Sequence, residues 1–259
     1  MITTTDDGCR LATAVDGPAQ APSIVLSNSL GTDMRLWERQ VARLSQTLRV
    51  WRYDMRGHGR SDAPAADYTI ARLGRDLLSI MDANGIATAH LCGISIGGAV
   101  SLWVAAHAPE RVDRLVLANT GARIGHDALW NERIQVARTA GLSTLADAAM
   151  GRWFTEPFRR REPAIVEQFH GTICRTCVDG YVGCCAALRD ADLRPAAGRI
   201  TAKTLVITGT HDVATTPADG RWLAEAIPGA TLVELDSAHL SNVERAEAFN
   251  DTVLAFLQS

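Results

Sequence analysis

The chain has 259 residues, of which 47% are hydrophobic and 21% charged, the balance of an ordinary globular protein and not of a disordered, fibrous or disulfide-stapled one. Its net charge of −3 offers no concentrated basic surface for nucleic acid, and no run approaches the roughly 18 uninterrupted apolar residues that cross a bilayer. At about 150 residues per domain the length allows one large domain or one domain with a substantial insertion.

Met1–Arg10 is polar and acidic, without the apolar segment of a secretory signal, so a cytoplasmic protein is expected. Ser23–Ser27 then reads as a buried strand, Leu36–Leu48 as an amphipathic helix and Leu48–Tyr53 as a second strand. Thr69–Asn84 carries Ile70, Leu73, Leu77, Ile80 and Met81 on one helical face, with Gly85 where a C-terminal cap would stand. His90–Cys92 is a short strand, Ile96–His107 a mostly apolar helix and Val112–Ala118 a strand again. This alternation predicts an α/β fold, a mostly parallel sheet covered by helices on both faces.

The pattern changes at Arg123. Up to Arg199 there are only amphipathic helices, at Ala128–Ala140, Leu142–Met150, Ala164–Cys174 and Val178–Leu188. Alternation resumes with the strand Thr204–Thr208, the helix Pro217–Ala226, the strand Thr231–Leu235 and a helix over Asn242–Leu257. The expected organisation is a core of residues 1–122 and 200–259, interrupted by an all-helical cap over 123–199. The cap segment carries eleven arginines against nine acidic residues, a net +2 that leaves −5 on the rest, and this sign suits a lid over an anionic substrate.

Some chemistries are excluded by composition. Of 26 basic residues only Lys203 is a lysine, at the entry to a strand, so neither a phosphate-binding loop nor a Schiff-base mechanism has its lysine. The cysteines Cys9, Cys92, Cys174, Cys177, Cys184 and Cys185 read as reduced thiols. Cys174 and Cys177 have C-x-x-C spacing, but adjacent Cys184 and Cys185 do not complete a zinc ribbon, and no strand leads into the C-x-x-C as a thioredoxin-like site requires. No metal and no organic cofactor is expected.

Gly93-Ile94-Ser95-Ile96-Gly97 follows a strand and opens a helix. In that setting G-x-S-x-G holds the serine in a strained turn with its hydroxyl projecting outward, and the helix N-terminus supplies a backbone N–H for an oxyanion. A nucleophilic Ser95 needs a base, and the base an orienting acid. Asp212 and His239 follow the strands ending at Thr208 and Leu235, in the order nucleophile, acid, histidine that this architecture uses. Asp236 is the alternative acid and His211 the rival histidine, while His58, in a glycine-rich turn, reads as structural. A second oxyanion donor is expected in the loop Ser27–Thr32, from the backbone N–H of Leu30 beside that of Ile96.

These features resemble the α/β-hydrolase superfamily over nearly the whole chain, although Asn28-Ser29 replaces the His-Gly that commonly opens the oxyanion loop. Several segments are more narrowly similar to 3-oxoadipate enol-lactonases: Leu26–Thr32, Leu117–Gly125, Leu129–Ile134, Gly151–Thr155, Gly180-Tyr181, Cys184–Arg194 and Ala238–Glu244. The resemblance implies a small anionic enol lactone as substrate, opened through an acyl-enzyme in bacterial aromatic-acid degradation. Arg133 is then the candidate partner of the substrate carboxylate, with Trp130 and Trp153 as pocket walls. The same triad would also serve another carboxylesterase, lactonase or carbon–carbon bond hydrolase, and the scaffold could serve a noncatalytic ligand-binding protein.

Overall fold

A computed structural model describes all residues, 1–259. Eight strands form one sheet: β1 (Ile2–Thr4), β2 (Arg10–Asp16), β3 (Ser23–Ser27), β4 (Arg49–Tyr53), β5 (Ala89–Ile94), β6 (Val112–Ala118), β7 (Lys203–Gly209) and β8 (Thr231–Leu235), in the order β1-β2-β4-β3-β5-β6-β7-β8. All neighbours from β4 to β8 are parallel, and only the β1–β2 and β2–β4 pairings are antiparallel. The expected mostly parallel α/β sheet is present. β3, β5 and β7 are buried along nearly their whole length, as strands covered on both faces must be.

β1 and β2 lie outside the predicted set. They form the antiparallel edge of the sheet, where apolar side chains alternate with threonines and charged residues, so no apolar run marks them. Arg56, 4% exposed, anchors this edge by pairing with Asp76 at 2.7 Å and Asp7 at 2.9 Å. Asp6, Asp7 and Asp76 converge there, but Arg56 and Arg72 neutralise the cluster.

Two predicted helices are subdivided. Leu36–Leu48 is a 3-10 turn over Met34–Trp37 followed by a short helix over Glu38–Leu44. The closing helix is a turn over Ser241–Glu244, a break at Arg245, whose backbone is neither helical nor extended (φ −124°, ψ 46°), and a helix over Ala246–Gln258. The helix Ile70–Ala83 ends as its sequence predicts, with Gly85 left-handed at φ +66°.

Between β6 and β7 the chain leaves the sheet for six helices: Asp127–Ala140, Ser143–Trp153, Glu156–Arg161, Pro163–Arg175, Val178–Asp190 and Arg194–Ala197. This block seats closely on the sheet layer. A Cβ on Gly57 would lie 2.2 Å from the Gly180 Cα, so both positions need glycine for the two backbones to touch. The Tyr68 N–H donates to the Gly183 carbonyl (3.1 Å) and the Leu240 N–H to the Trp153 carbonyl (3.1 Å). A single apolar core runs from the sheet into the helical block.

Candidate active site

The strand order places the site. β5 lies between β3 and β6, so the turn after β5 is flanked by the loop after β3 and by the end of β6, with the loops after β7 and β8 beyond. Ser95 occupies that turn with φ +58° and ψ −122°, a left-handed conformation that costs a non-glycine residue about 1–3 kcal/mol. Its surroundings hold it there. The Ser95 N–H donates to the carbonyls of Ala118 and Asn119 (both 3.1 Å), and the Thr120 hydroxyl donates to the Ser95 carbonyl (2.7 Å). The glycines of the motif are sterically required, since a Cβ on Gly93 would meet the Gly97 carbonyl oxygen at 2.1 Å and one on Gly97 the Ser27 carbonyl oxygen at 2.2 Å.

Asp212 and His239 meet at the ends of β7 and β8, with His239 Nδ1 2.8 Å from Asp212 Oδ2 and both side chains buried. Asp212 Oδ1 accepts the N–H groups of Ala214 (2.8 Å) and Thr215 (3.1 Å), and Oδ2 also accepts the Thr215 hydroxyl (2.8 Å) and the Asn119 amide (3.1 Å). Burial alone would raise this carboxyl, but the adjoining His239 and these donors reverse the sign and hold it below the usual carboxylate range. Asp236 lies elsewhere. It is exposed and pairs with His211 (2.9 Å) and Arg245, so neither rival residue touches His239.

Ser95 and His239 line one cavity of about 270 Å³, together with Leu30, Trp130, Arg133, Arg152, Trp153 and Tyr181. Neither Leu30 nor Ile96 donates its backbone N–H to any protein acceptor, while the following N–H, that of Gly31, is bound to His58 Nε2 at 3.0 Å. A wider, mainly polar cleft of about 510 Å³ opens among Arg35, Arg60 and Arg175, but it contains neither Ser95 nor His239.

Both candidate tryptophans line the cavity and also anchor the helical block. Trp130 donates its indole N–H to the Ile124 carbonyl (2.7 Å), and Trp153 packs edge-on against Phe169 at 6.3 Å. Arg133 stacks on Trp130, its guanidinium carbon 4.8 Å from the ring centroid, with no carboxylate partner.

Three contributors, Arg152, Asn119 and Glu244, are not singled out by the sequence, and a fourth, His58, has a partner the sequence does not reveal. Arg152, equally without a carboxylate partner, joins Arg133 in the wall; burial, and next the like charge of Arg133, push its guanidinium below the usual range. His58 is buried and structural as expected, but its partner is the loop Asn28–Thr32 itself. Asn119, left-handed at φ +42°, links Asp212, the Ala238 carbonyl (3.3 Å) and the Ser241 hydroxyl (2.5 Å). Glu244 accepts the N–H groups of Ala238 (3.1 Å) and Thr155 (3.2 Å), tying the His239 loop to the helical block. Of Arg152, Asn119 and Glu244, only Asn119 carries a local signal, its position directly after a strand. Asn28 has a structural use too: its amide donates to the Tyr53 carbonyl (2.8 Å) and its oxygen accepts the Trp37 indole N–H (2.9 Å).

Known proteins resemble this chain in sequence and in fold. The sequence profile of the α/β-hydrolase fold family matches residues 22–246. The chain is 41% identical to 3-oxoadipate enol-lactonase 2 of Acinetobacter baylyi, over 99% of this chain and 96% of that protein. It is 32% identical to a putative carbamate hydrolase RutD of Variovorax paradoxus, over 94% of each. The crystal structure of the enol-lactonase from Burkholderia xenovorans LB400 superposes with a TM-score of 0.98 at 48% identity, covering 100% of both chains. The chain therefore belongs to the α/β-hydrolase family and is an ester-hydrolysing enzyme, similar along its whole length to enol-lactonases.

Proposed function

We propose that this enzyme opens the ring of 3-oxoadipate enol-lactone to give 3-oxoadipate, a step of bacterial aromatic-acid degradation, with the six-helix block as its substrate-covering cap. The observation that carries this reading is the unpaired pair Arg133 and Arg152 in the cavity that holds Ser95 and His239. Two guanidinium groups in the wall of one cavity repel, and a substrate carboxylate bound to both relieves that repulsion while accepting charge-assisted hydrogen bonds. An uncharged ester has no use for them.

In this mechanism His239 takes the Ser95 proton on Nε2 as the Ser95 oxygen attacks the ring carbonyl. Asp212, bonded to Nδ1 at 2.8 Å, fixes the tautomer and stabilises the imidazolium. The N–H groups of Leu30 and Ile96, which have no protein acceptor, are free to hold the oxyanion. Ring opening expels an enol oxygen, a better leaving group than an alkoxide, so proton donation by His239 need not be far advanced. The opened chain stays on Ser95 as an acyl-enzyme until water, deprotonated by His239, releases the second carboxylate. No metal or cofactor enters this scheme.

The test is the loss of enol-lactone absorbance on adding purified protein, with Ser95→Ala as control. The reading expects turnover that the variant loses by orders of magnitude. High turnover of simple aryl esters or carbamates with none of the enol lactone would refute it.

A further inference from the structure

Four of the six cysteines are out of reach. Cys9, Cys92, Cys184 and Cys185 are at most 5% exposed, and burial pushes all four thiols up, to about 11 for Cys9 and about 12 for Cys185, which keeps the reactive thiolate scarce. Cys174 and Cys177 differ in being half-buried and exposed. The fold gives Cys174 partners that its C-x-x-C spacing does not reveal. His170 and Cys174 stand one turn apart on the helix Pro163–Arg175, with Sγ 3.8 Å from His170 Nδ1. The other ring nitrogen, Nε2, lies 3.3 Å from the Asp147 carboxylate on the neighbouring helix. In the tautomer protonated on Nε2, Nδ1 is the acceptor for the thiol proton.

We propose that Cys174 and Cys177 form a hydroperoxide-sensitive dithiol on the helical block, in which Cys174 reacts first, Cys177 resolves it, and the resulting disulfide reversibly impairs catalysis in the adjoining cavity. In the first step His170 takes the Cys174 proton, and the sulfur attacks the terminal peroxide oxygen. The S–O bond forms, the O–O bond breaks, and the departing alkoxide or hydroxide takes the proton from His170. The sulfur is oxidised to a sulfenic acid and the peroxide is reduced to an alcohol or water. Cys177 then attacks that sulfur, so the S–S bond forms, the S–O bond breaks and water leaves with the Cys177 proton.

The backbone supports closure. Arg175 ends the helix, Thr176 is extended at φ −64° and ψ 141°, and Cys177 follows it, three positions after Cys174. Cys174 lies in the last helical turn, so drawing Cys177 onto it to close the bond tugs on that turn. The tug reaches the cavity through Ile173. Ile173 lines it and packs on the loop after β3, where a Cβ on Gly31 would lie 3.2 Å from Ile173 Cγ1.

The experiment treats the full chain with hydrogen peroxide, maps thiols by peptide mass under non-reducing conditions, and follows hydrolysis of 4-nitrophenyl acetate, a readout independent of the lactone assignment. The expected result is a Cys174–Cys177 disulfide with loss of ester turnover, both reversed by dithiothreitol. Cys177→Ser should stop at a sulfenic acid on residue 174 captured by dimedone, Cys174→Ser should resist peroxide, and His170→Asn should slow the reaction about tenfold or more. Oxidation centred on any other cysteine, unchanged turnover with the disulfide formed, or a parental rate in His170→Asn overturns the proposal.

Discussion

His58 makes a stability prediction whose size follows from its surroundings. Its ring is 1% exposed, accepts the Gly31 N–H on Nε2 (3.0 Å) and donates from Nδ1 to the Arg56 carbonyl (3.2 Å). Burial pushes its basicity down to about 4, against the opposing pull of that carbonyl and of Asp33. An unfolded histidine titrates near 6.5. The unfolded state therefore binds more protons between these values, and the stabilisation is complete above about pH 6.5 and lost as pH falls toward 4. At about pH 4.5 the loss amounts to about 2.5 kcal/mol. His58→Gln stays uncharged throughout and lacks this component, whereas acid loss from carboxylates such as Asp212 is common to both proteins. Urea unfolding of parent and variant at about pH 7.5 and about pH 4.5 isolates the difference. The parent should lose about 2.5 kcal/mol more than the variant on acidification, on top of a constant cost of about 1–3 kcal/mol for the disturbed Gly31 and Arg56 hydrogen bonds. Parallel losses in the two proteins would refute a buried neutral imidazole.

Three other outcomes follow from the site. Arg133→Ala and Arg152→Ala should each raise KM for the carboxylated lactone about 10- to 100-fold, the equivalent of about 1.5–3 kcal/mol for a hydrogen bond to a charged group; an equal rise for an uncharged ester would remove the carboxylate contact from the argument. Asp212→Asn should lower kcat by about 10³- to 10⁴-fold, because the imidazole loses its tautomer and its stabilising charge. A kcat within tenfold of the parent would mean that Asp212 is not the orienting acid. Glu244→Ala leaves the N–H groups of Ala238 and Thr155 without their acceptor, at about 1–3 kcal/mol each, so the melting temperature should fall by several degrees and kcat with it; unchanged thermal unfolding would sink the tie between the His239 loop and the helical block.

Much of the molecule is legible without coordinates because its signals are local. Apolar runs mark β3, β5 and β7, a stretch without strands marks residues 123–199, and the two glycines around Ser95 announce a turn in which a Cβ would strike backbone at 2.1–2.2 Å. Asp212 and His239 are readable because each follows a strand, and parallel strands deliver their following loops to one edge of the sheet. The N-terminal strands are not legible, since their pairing is decided by β4 and by the ion pairs of Arg56 rather than by an apolar pattern of their own. Nor is the break at Arg245 inside an otherwise helical run.

Tertiary structure alone decided which groups meet. Between Asp212 and Asp236 the sequence offers two carboxylates near His239, and only the packing of β7 on β8 buries one against the imidazole and leaves the other at the surface with His211. Arg152 is one arginine among many until two helices of the block between β6 and β7 bring it beside Arg133, and His58 supports the loop after β3 from the loop after β4, 27 positions away in the chain. Local sequence specifies the backbone conformation that exposes a serine, because sterics act between neighbours. The charges and hydrogen bonds that act on the site come from residues distant in the chain, and only the folded core brings these together.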